Sequence, residues 1–274
     1  MRRAEYIAGE LNRRLLSCRL RPGAGSGMVL GVGLGAAAIG LIGLLLGGYH
    51  AGFLAANRLL AMLPADAVQI ITYAGDSLVA LTLLLYFARR APTLLWHGTL
   101  AAALAALISQ LLKFLLHTAR PPAVIPHDAL RIIGPAYTSH AFPSGHATTA
   151  FTAAALIVWG LRSTPARSAV FAAAALVGVS RIAAGVHWPL DVLAGAAIGC
   201  VSVALAAPLA QRWRWGVSLR GHLLLVIILT GCALSLWLIR IPYPAATLPA
   251  HALALGALGL TAWDYLWTPL GRRR

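Results

Sequence analysis

The sequence of 274 residues has little charge, few acidic residues and few cysteines. Charged residues make up 11% of the chain and hydrophobic residues 59%, and the mean hydropathy is +0.79. This balance excludes an ordinary soluble domain and is typical of a polytopic membrane protein. The three cysteines have no paired spacing, so neither a disulfide framework nor a cysteine-based metal site is expected. We expect one integral membrane domain over 1–274.

The scarcity of acidic residues leaves a net charge of +15. The arginines fall in short clusters between apolar runs and do not form one basic face, so we expect no nucleic-acid partner. A cytoplasmic N-terminus puts most of the 22 basic residues on the inner side, as the positive-inside rule requires. Residues 1–22 suit a cytoplasmic amphipathic segment. The predicted location is a bacterial inner membrane, with any outer site facing the periplasm or outside.

Apolar runs along the chain predict eight membrane-spanning helices, each of about 20 residues where complete. The fourth run is short, and the fifth and sixth are nearly continuous. The runs lie near 28–48, 68–88, 94–117, 146–161, 167–186, 189–209, 221–240 and 249–267. The predicted fold is therefore an all-α, polytopic transmembrane helix bundle.

A cationic segment, KFLLHTARPP, ends the third run and contains Lys113, the only lysine of the chain. Lys113 and Arg120 are seven residues apart, close to two helical turns, so both cations and His117 are expected on one helix face. A basic side chain at membrane depth costs roughly 2.5–3.5 kcal/mol. Two such cations together predict an anionic partner.

The fourth run opens with FPSGHATT. Ser144 and Gly145 place a hydroxyl and free backbone amides at a helix N-terminus, where the helix dipole favours an anion. His146 follows at once and could supply a proton. This arrangement predicts a phosphate-sized anion site.

The segment SRIAAGVHWPLDVLAG joins the fifth and sixth runs and carries Arg181, His187 and Asp191. His187 and Asp191 are four residues apart, with Pro189 allowing a helix to begin between them. The carboxylate can therefore accept a hydrogen bond from the imidazole and fix its tautomer. A histidine oriented in this way can act as a nucleophile.

The predicted topology puts all three segments on the outer side of the membrane. Together they resemble the three-part signature of the type 2 phosphatidate phosphatase family, which includes bacterial membrane lipid phosphatases and, as relatives, vanadium haloperoxidases. The resemblance covers 113–191. It implies a six-helix catalytic core, which corresponds to 28–209 here, plus about two additional spans over 221–267.

The resemblance also implies a role for each site residue. His187 would attack phosphorus to give a phosphohistidine, Asp191 would hold its other ring nitrogen, and His146 would protonate the leaving oxygen and later activate water. The residues that would bind the phosphate oxygens are Lys113, Arg120, Ser144, Gly145 and Arg181. No metal and no cofactor is needed.

Two further residues are ambiguous. Asp76, in or beside the second run, is expected to face the protein interior as a hydrogen-bonding partner or a partner for a site arginine, and it could also contact substrate. His117 shares the face of the cations and could likewise contact substrate.

The predicted function is that of an integral membrane lipid phosphatase acting on a lipid phosphate or diphosphate. Undecaprenyl diphosphate, phosphatidylglycerophosphate, phosphatidate and lipid A phosphates are all candidate substrates. A lipid phosphotransferase using the same site and a lipid-phosphate transporter remain alternatives. In a further alternative, His146, His187 and Asp191 are ligands of a metal ion. A haloperoxidase is disfavoured because those relatives are soluble.

Overall fold

The computed structural model describes residue 15 and residues 23–267. The amphipathic segment expected over 1–22 lies outside these residues except for Leu15, which is buried against Leu219 and Tyr265. No strand occurs among the described residues, which confirms the all-α prediction. The helices are α1 Ser26–Gly47, α2 Phe53–Leu59, α3 Ala65–Tyr73, α4 Ser77–Leu85, α5 Pro92–Leu116, α6 Pro121–Val124, α7 Gly145–Gly160, α8 Thr164–Ala183, α9 Pro189–Arg212, α10 Leu219–Leu238 and α11 Thr247–Ala262.

Six helical segments within the described residues are long and apolar enough to cross a membrane. They are α1, α5 continued through α6, α8, α9, α10, and the segment Pro244–Trp267 that contains α11. A bent pair, Phe53–Met62 with Ala65–Tyr73, could count as a seventh. The helix α7 follows the predicted fourth run but has only 16 residues. The protein is a multi-pass membrane protein.

The prediction of one continuous span over 68–88 is wrong. The run is divided into α3 and α4, each of nine residues, and a nine-residue helix is roughly 14 Å long, less than half of the hydrocarbon layer. Asp76 causes the break by capping α4, since its Oδ1 accepts a hydrogen bond from the Leu78 amide at 2.8 Å.

The helix α9 lies at the centre of the bundle and contacts α1, α5, α7 and α8. Small residues allow these close contacts. A Cβ on Gly195 or Gly199 would stand 2.7 Å from a backbone oxygen of Ser144 or Thr148, and a Cβ on Gly33 would stand 2.9 Å from Cβ of Cys200. Close packing through glycine therefore sets the distance between the starts of α7 and α9.

The last two helices pack onto this bundle through α4, which contacts both α10 and α11. The Tyr86 hydroxyl donates to the Leu253 carbonyl at 2.9 Å. At the end of the bundle where α4 finishes, Arg89 and Arg90 both pair with Asp264. Leu253 in the middle of α11 and Asp264 just after its end thus tie this helix to the end of α4 and the residues that follow it.

The segments that carry the three motifs meet at the opposite end of the bundle. Asn57 of α2 connects the third motif to the loop between the first two, because its Nδ2 donates to the Ile182 carbonyl at 3.0 Å and its Oδ1 accepts from the Arg131 amide at 2.9 Å. The loop before α7 is therefore fastened to the end of α8. This fastening positions the polar site described next.

Candidate active site

A buried histidine and carboxylate form the centre of the site. Nδ1 of His187 lies 3.1 Å from Oδ2 of Asp191, and the same oxygen accepts the Trp188 amide at 2.9 Å. His187 is 1% exposed and Asp191 is fully buried. Because the carboxylate accepts the proton of Nδ1, Nε2 is left as the basic nitrogen of the ring. The predicted pairing of His187 with Asp191 is present in the structure.

The charge state of His187 suits a nucleophile. Burial lowers the pKa of His187 well below its usual range, and the nearby cations Arg120, Arg181 and Lys113 lower it further. The imidazole is therefore neutral at pH 7, and Nε2 keeps its lone pair.

The second carboxylate oxygen has a partner that the sequence analysis missed. Tyr49, in the turn after α1, donates its hydroxyl to Oδ1 of Asp191. Burial and the neighbouring carboxylate both raise the pKa of the Tyr49 phenol, so the phenol stays protonated and remains a donor. Its position just after the first run, on the side of the three motifs, was the only sequence signal that could have drawn attention to it.

Aromatic packing fixes the backbone beside His187. The Trp188 ring stacks on His50 with centroids 3.9 Å apart and meets Phe53 edge-on at 4.9 Å. Its indole nitrogen donates to the Ala119 carbonyl at 2.8 Å. These contacts, together with Pro189 in the first turn of α9, hold the loop that presents the imidazole.

The start of α7 lies against the start of α9. Ser144 is fully buried and caps α7 by accepting from the Ala147 amide at 3.5 Å, and its own amide donates to the Asp191 carbonyl at 3.0 Å. Gly145 and His146 form the first turn of α7. His146 is half-buried and within electrostatic range of His187. The structure thus brings the second and third motifs together.

Lys113 and Arg120 converge, but not for the predicted reason. The helix α5 ends at Leu116, His117 has left-handed backbone with φ 43°, and Arg120 has extended backbone. The two cations therefore do not share a helix face, and that prediction is wrong. They meet instead at one carbonyl: Nζ of Lys113 lies 2.8 Å from the His140 oxygen, and a guanidinium nitrogen of Arg120 lies 3.5 Å from it.

Further hydrogen bonds orient the Arg120 guanidinium. Its Nε donates to the Ser139 carbonyl at 2.8 Å and another nitrogen donates to the Val186 carbonyl at 3.4 Å. The Tyr137 ring lies under it, with the centroid 5.1 Å away. Arg120 therefore joins the first motif to the loop of His187.

Arg181 is the most deeply buried of the site cations, at 1% exposure. One of its terminal nitrogens donates to the Tyr243 hydroxyl at 3.0 Å. Tyr243 belongs to the connection between α10 and α11, and the sequence analysis missed it too. Arg181 lies within electrostatic range of His146 and His187.

The two ambiguous residues lie at the edge of this cluster. Asp76 caps α4 and lies within electrostatic range of Arg181, and the preceding turn touches the site because a Cβ on Gly75 would stand 2.9 Å from the His146 carbonyl oxygen. The exposed ring of His117 packs beside His140 at 5.4 Å. Direct substrate contact by either residue stays a prediction.

The alternative of a metal centre has no matching donor set among residues 23–267. No group of three or more His, Cys, Asp or Glu side chains in the described residues could hold a metal ion. The site instead combines an oriented imidazole, a second histidine, three basic side chains and a helix N-terminus. Such a combination suits phosphoryl transfer, in which cations and amides stabilise the charge on phosphate oxygens.

A groove of about 400 Å³ opens beside the site between α4, α5 and α7. Lys113 and Gly145 line its polar end, and Phe87, Leu94 and Leu156 line its far end. The α5 residues from Leu94 to Lys113 cover roughly 28 Å at about 1.5 Å per residue, close to the thickness of the hydrocarbon layer.

Comparison with known proteins shows what the chain resembles. Residues 94–215 match the PAP2 superfamily. The chain is 28% identical to the protein in the crystal structure of Aquifex aeolicus LpxE, with a TM-score of 0.50, over 56% of this chain and 92% of that one. Residues 94–215 therefore resemble a PAP2 domain, in agreement with the resemblance noted in the sequence.

Two curated relatives carry more specific names. The chain is 32% identical to a lipid A 1-phosphatase of Rhizobium etli over 156 residues, which are 48% of this chain and 65% of that protein. It is 38% identical over 89 residues, 29% of this chain and 44% of the relative, to Escherichia coli YbjG, provisionally named an undecaprenyl-diphosphatase. The chain thus spans less than two thirds of the length of either relative.

Proposed function

We propose that this protein is an integral membrane phosphatase that hydrolyses a phosphate monoester or diphosphate of a membrane lipid. The observation that carries the proposal is the buried pair of His187 and Asp191, surrounded by the three basic side chains at one end of a PAP2 domain. The names of the two curated relatives make a lipid A phosphate and undecaprenyl diphosphate the first substrates to test.

The first chemical step uses the neutral His187 imidazole. Nε2 attacks phosphorus, the bond between phosphorus and the lipid oxygen breaks, and a phosphohistidine forms. Burial and the three site cations lower the pKa of His146, and the negative charge of a bound phosphate offsets the cations, so that His146 can hold a proton and give it to the leaving oxygen. Asp191 keeps the proton of Nδ1 in place and stabilises the positive ring. Lys113, Arg120 and Arg181 balance the charge of the phosphoryl oxygens.

The second step releases phosphate. His146, now neutral, takes a proton from a water molecule, and the oxygen of that water attacks phosphorus. The bond between phosphorus and Nε2 breaks, and inorganic phosphate leaves with His187 restored. The Ser144 hydroxyl and the Gly145 amide at the start of α7 contribute further donors to the phosphate oxygens.

The groove beside the site supports a lipid substrate. Its polar end, at Lys113 and Gly145, lies next to the proposed phosphate site, and the lining becomes aliphatic and aromatic towards Leu94. An amphiphile with its phosphate at Lys113 would lay an apolar tail along α5. Burial of apolar surface contributes about 25 cal/mol per Å², which favours a long-tailed substrate over a soluble phosphate ester.

The distribution of arginine supports an outward-facing site. Several arginines lie at the end of the bundle opposite the site, namely Arg89, Arg90, Arg162, Arg167 and Arg212. Under the positive-inside rule that end is cytoplasmic. We infer a bacterial inner membrane location with the site on the periplasmic side, and one functional domain that includes the last two helices.

Release of inorganic phosphate by the full-length protein in detergent tests the proposal. Four lipids are offered with excess chelator: lipid A, undecaprenyl diphosphate, phosphatidylglycerophosphate and phosphatidate. We expect release from at least one, abolished in His187→Ala and retained in His127→Ala, since His127 is an exposed loop histidine.

Other outcomes would redirect the assignment. Turnover that depends on a second lipid as phosphoryl acceptor would indicate a phosphotransferase. Saturable binding of a lipid phosphate without turnover would indicate a transporter. Near-normal turnover in His187→Ala would remove His187 as the nucleophile.

A further inference from the structure

The hydrogen bond between Arg181 and Tyr243 joins the site to a part of the chain outside the PAP2 match. Tyr243 lies in the connection between α10 and α11, beyond the matched residues 94–215. Its hydroxyl accepts from a terminal nitrogen of Arg181 at 3.0 Å. Both side chains are buried, at 2% exposure for Tyr243 and 1% for Arg181.

The Tyr243 ring is held from two sides, so its hydroxyl has a fixed position. A Cβ on Gly134 would stand 2.4 Å from the ring, and Gly134 has a φ of +81°, which a residue with a side chain rarely adopts. The Tyr73 ring of α3 packs on it with centroids 6.2 Å apart. The next turn is tied down as well, because the Ala245 amide donates to Gln69 at 3.1 Å.

Arg181 needs such an anchor. A buried guanidinium is stable only when its donors have partners. Within residues 23–267, Nε of Arg181 is buried without a hydrogen-bond partner. Arg181 is held at one terminal nitrogen and lies within electrostatic range of His146 and His187, so it has hydrogen-bonding capacity left for a phosphoryl oxygen.

We propose that Tyr243 is a positioning residue that holds the Arg181 guanidinium against the phosphoryl group, so that the connection between α10 and α11 completes the phosphate site. This inference rests on the proposed phosphatase function. It gives the two C-terminal helices a part in catalysis, in addition to their packing against α4.

Tyr243→Phe in the full-length protein tests the inference, because it removes only the hydroxyl and keeps the packed ring. Tyr86→Phe is the matched control. It also removes a tyrosine hydroxyl that ties the C-terminal helices to the bundle, through Leu253, but Tyr86 lies at the end of α4 that is away from the site. Phosphate release, thermal unfolding and inhibition by orthovanadate are measured for both variants.

We expect Tyr243→Phe to lower kcat about tenfold or more and to weaken orthovanadate inhibition by a similar factor, since hydrogen bonds to charged groups contribute at least this much. KM should change little, and Tyr86→Phe should keep wild-type values. In an Arg181→Ala background, Tyr243→Phe should cause no further fall in kcat, because the Tyr243 hydroxyl then has no guanidinium to position. A purely structural role would instead lower the unfolding temperature of both variants and leave kcat unchanged.

The results separate this inference from the proposed function. Wild-type turnover with unchanged kcat and vanadate affinity in Tyr243→Phe would overturn only the role of Tyr243. If the wild type released no phosphate, the two variants would still be compared by how much orthovanadate raises their unfolding temperatures. Absence of both turnover and vanadate protection in the wild type would overturn the phosphate site and this inference with it.

Discussion

The Tyr49 hydroxyl is hydrogen-bonded to Oδ1 of Asp191, 142 residues away in the sequence. The other carboxylate oxygen accepts from the Trp188 amide and from His187. These hydrogen bonds to the Asp191 carboxylate come from the turn after α1 and from the loop before α9. The tyrosine restrains the carboxylate so that it can face Nδ1 of His187.

Removal of this restraint should reduce the rate of the chemical step. In Tyr49→Phe we expect kcat to fall about tenfold, because a hydrogen bond to a charged group contributes roughly 1.5–3 kcal/mol, while KM stays close to wild type. Steady-state phosphate release measures both constants. A kcat equal to that of the wild type would show that the contacts with Trp188 and His187 orient the Asp191 carboxylate without Tyr49.

Arg120 should not tolerate replacement by lysine. Its guanidinium reaches the Ser139 and Val186 carbonyls at the same time, and a lysine ammonium keeps the charge but lacks the planar fork. We expect kcat/KM of Arg120→Lys to fall by at least about tenfold. An unchanged kcat/KM would remove Arg120 from the phosphate site.

The groove between α4, α5 and α7 should determine tail binding. Ala106 lines the groove and Ala103, on the same helix, is exposed elsewhere. Ala106→Phe should raise KM for a long-tailed lipid phosphate several-fold by filling the groove, with little effect on a water-soluble phosphate ester. Ala103→Phe serves as the control for adding an aromatic ring to α5. Equal effects of the two variants on the lipid substrate would contradict a tail site in this groove.

The sequence predicted most of the helices and grouped the three motifs correctly. The apolar run over 189–209 leads to α9, and the spacing of His187 and Asp191 leads to their hydrogen bond. The interruption at Asp76 could also have been read, because an aspartate after glycine is a common helix start. The predicted run 94–117 ends close to the end of α5 at Leu116. The left-handed turn at His117, which takes Arg120 off the helix, could not be predicted because no glycine marks it.

The two tyrosines mark the limit of prediction from one sequence. Tyr49 and Tyr243 lie in turns outside every motif, and each reaches the site only because the bundle brings distant segments together. Local spacing carries no information about such contacts. Their identification required the packing of α1 and of the last two helices around the core.

The central claim is that His187 carries the phosphoryl group during turnover. Detection of a phosphohistidine tests it most directly: the reaction is quenched at alkaline pH, where this linkage survives, and the protein is digested and analysed by mass spectrometry. We predict a phosphoryl group on the peptide at His187 in the wild type, and none in His187→Ala. A protein that turns over substrate with no phosphoryl group at His187, or with the group on another residue, would contradict the mechanism.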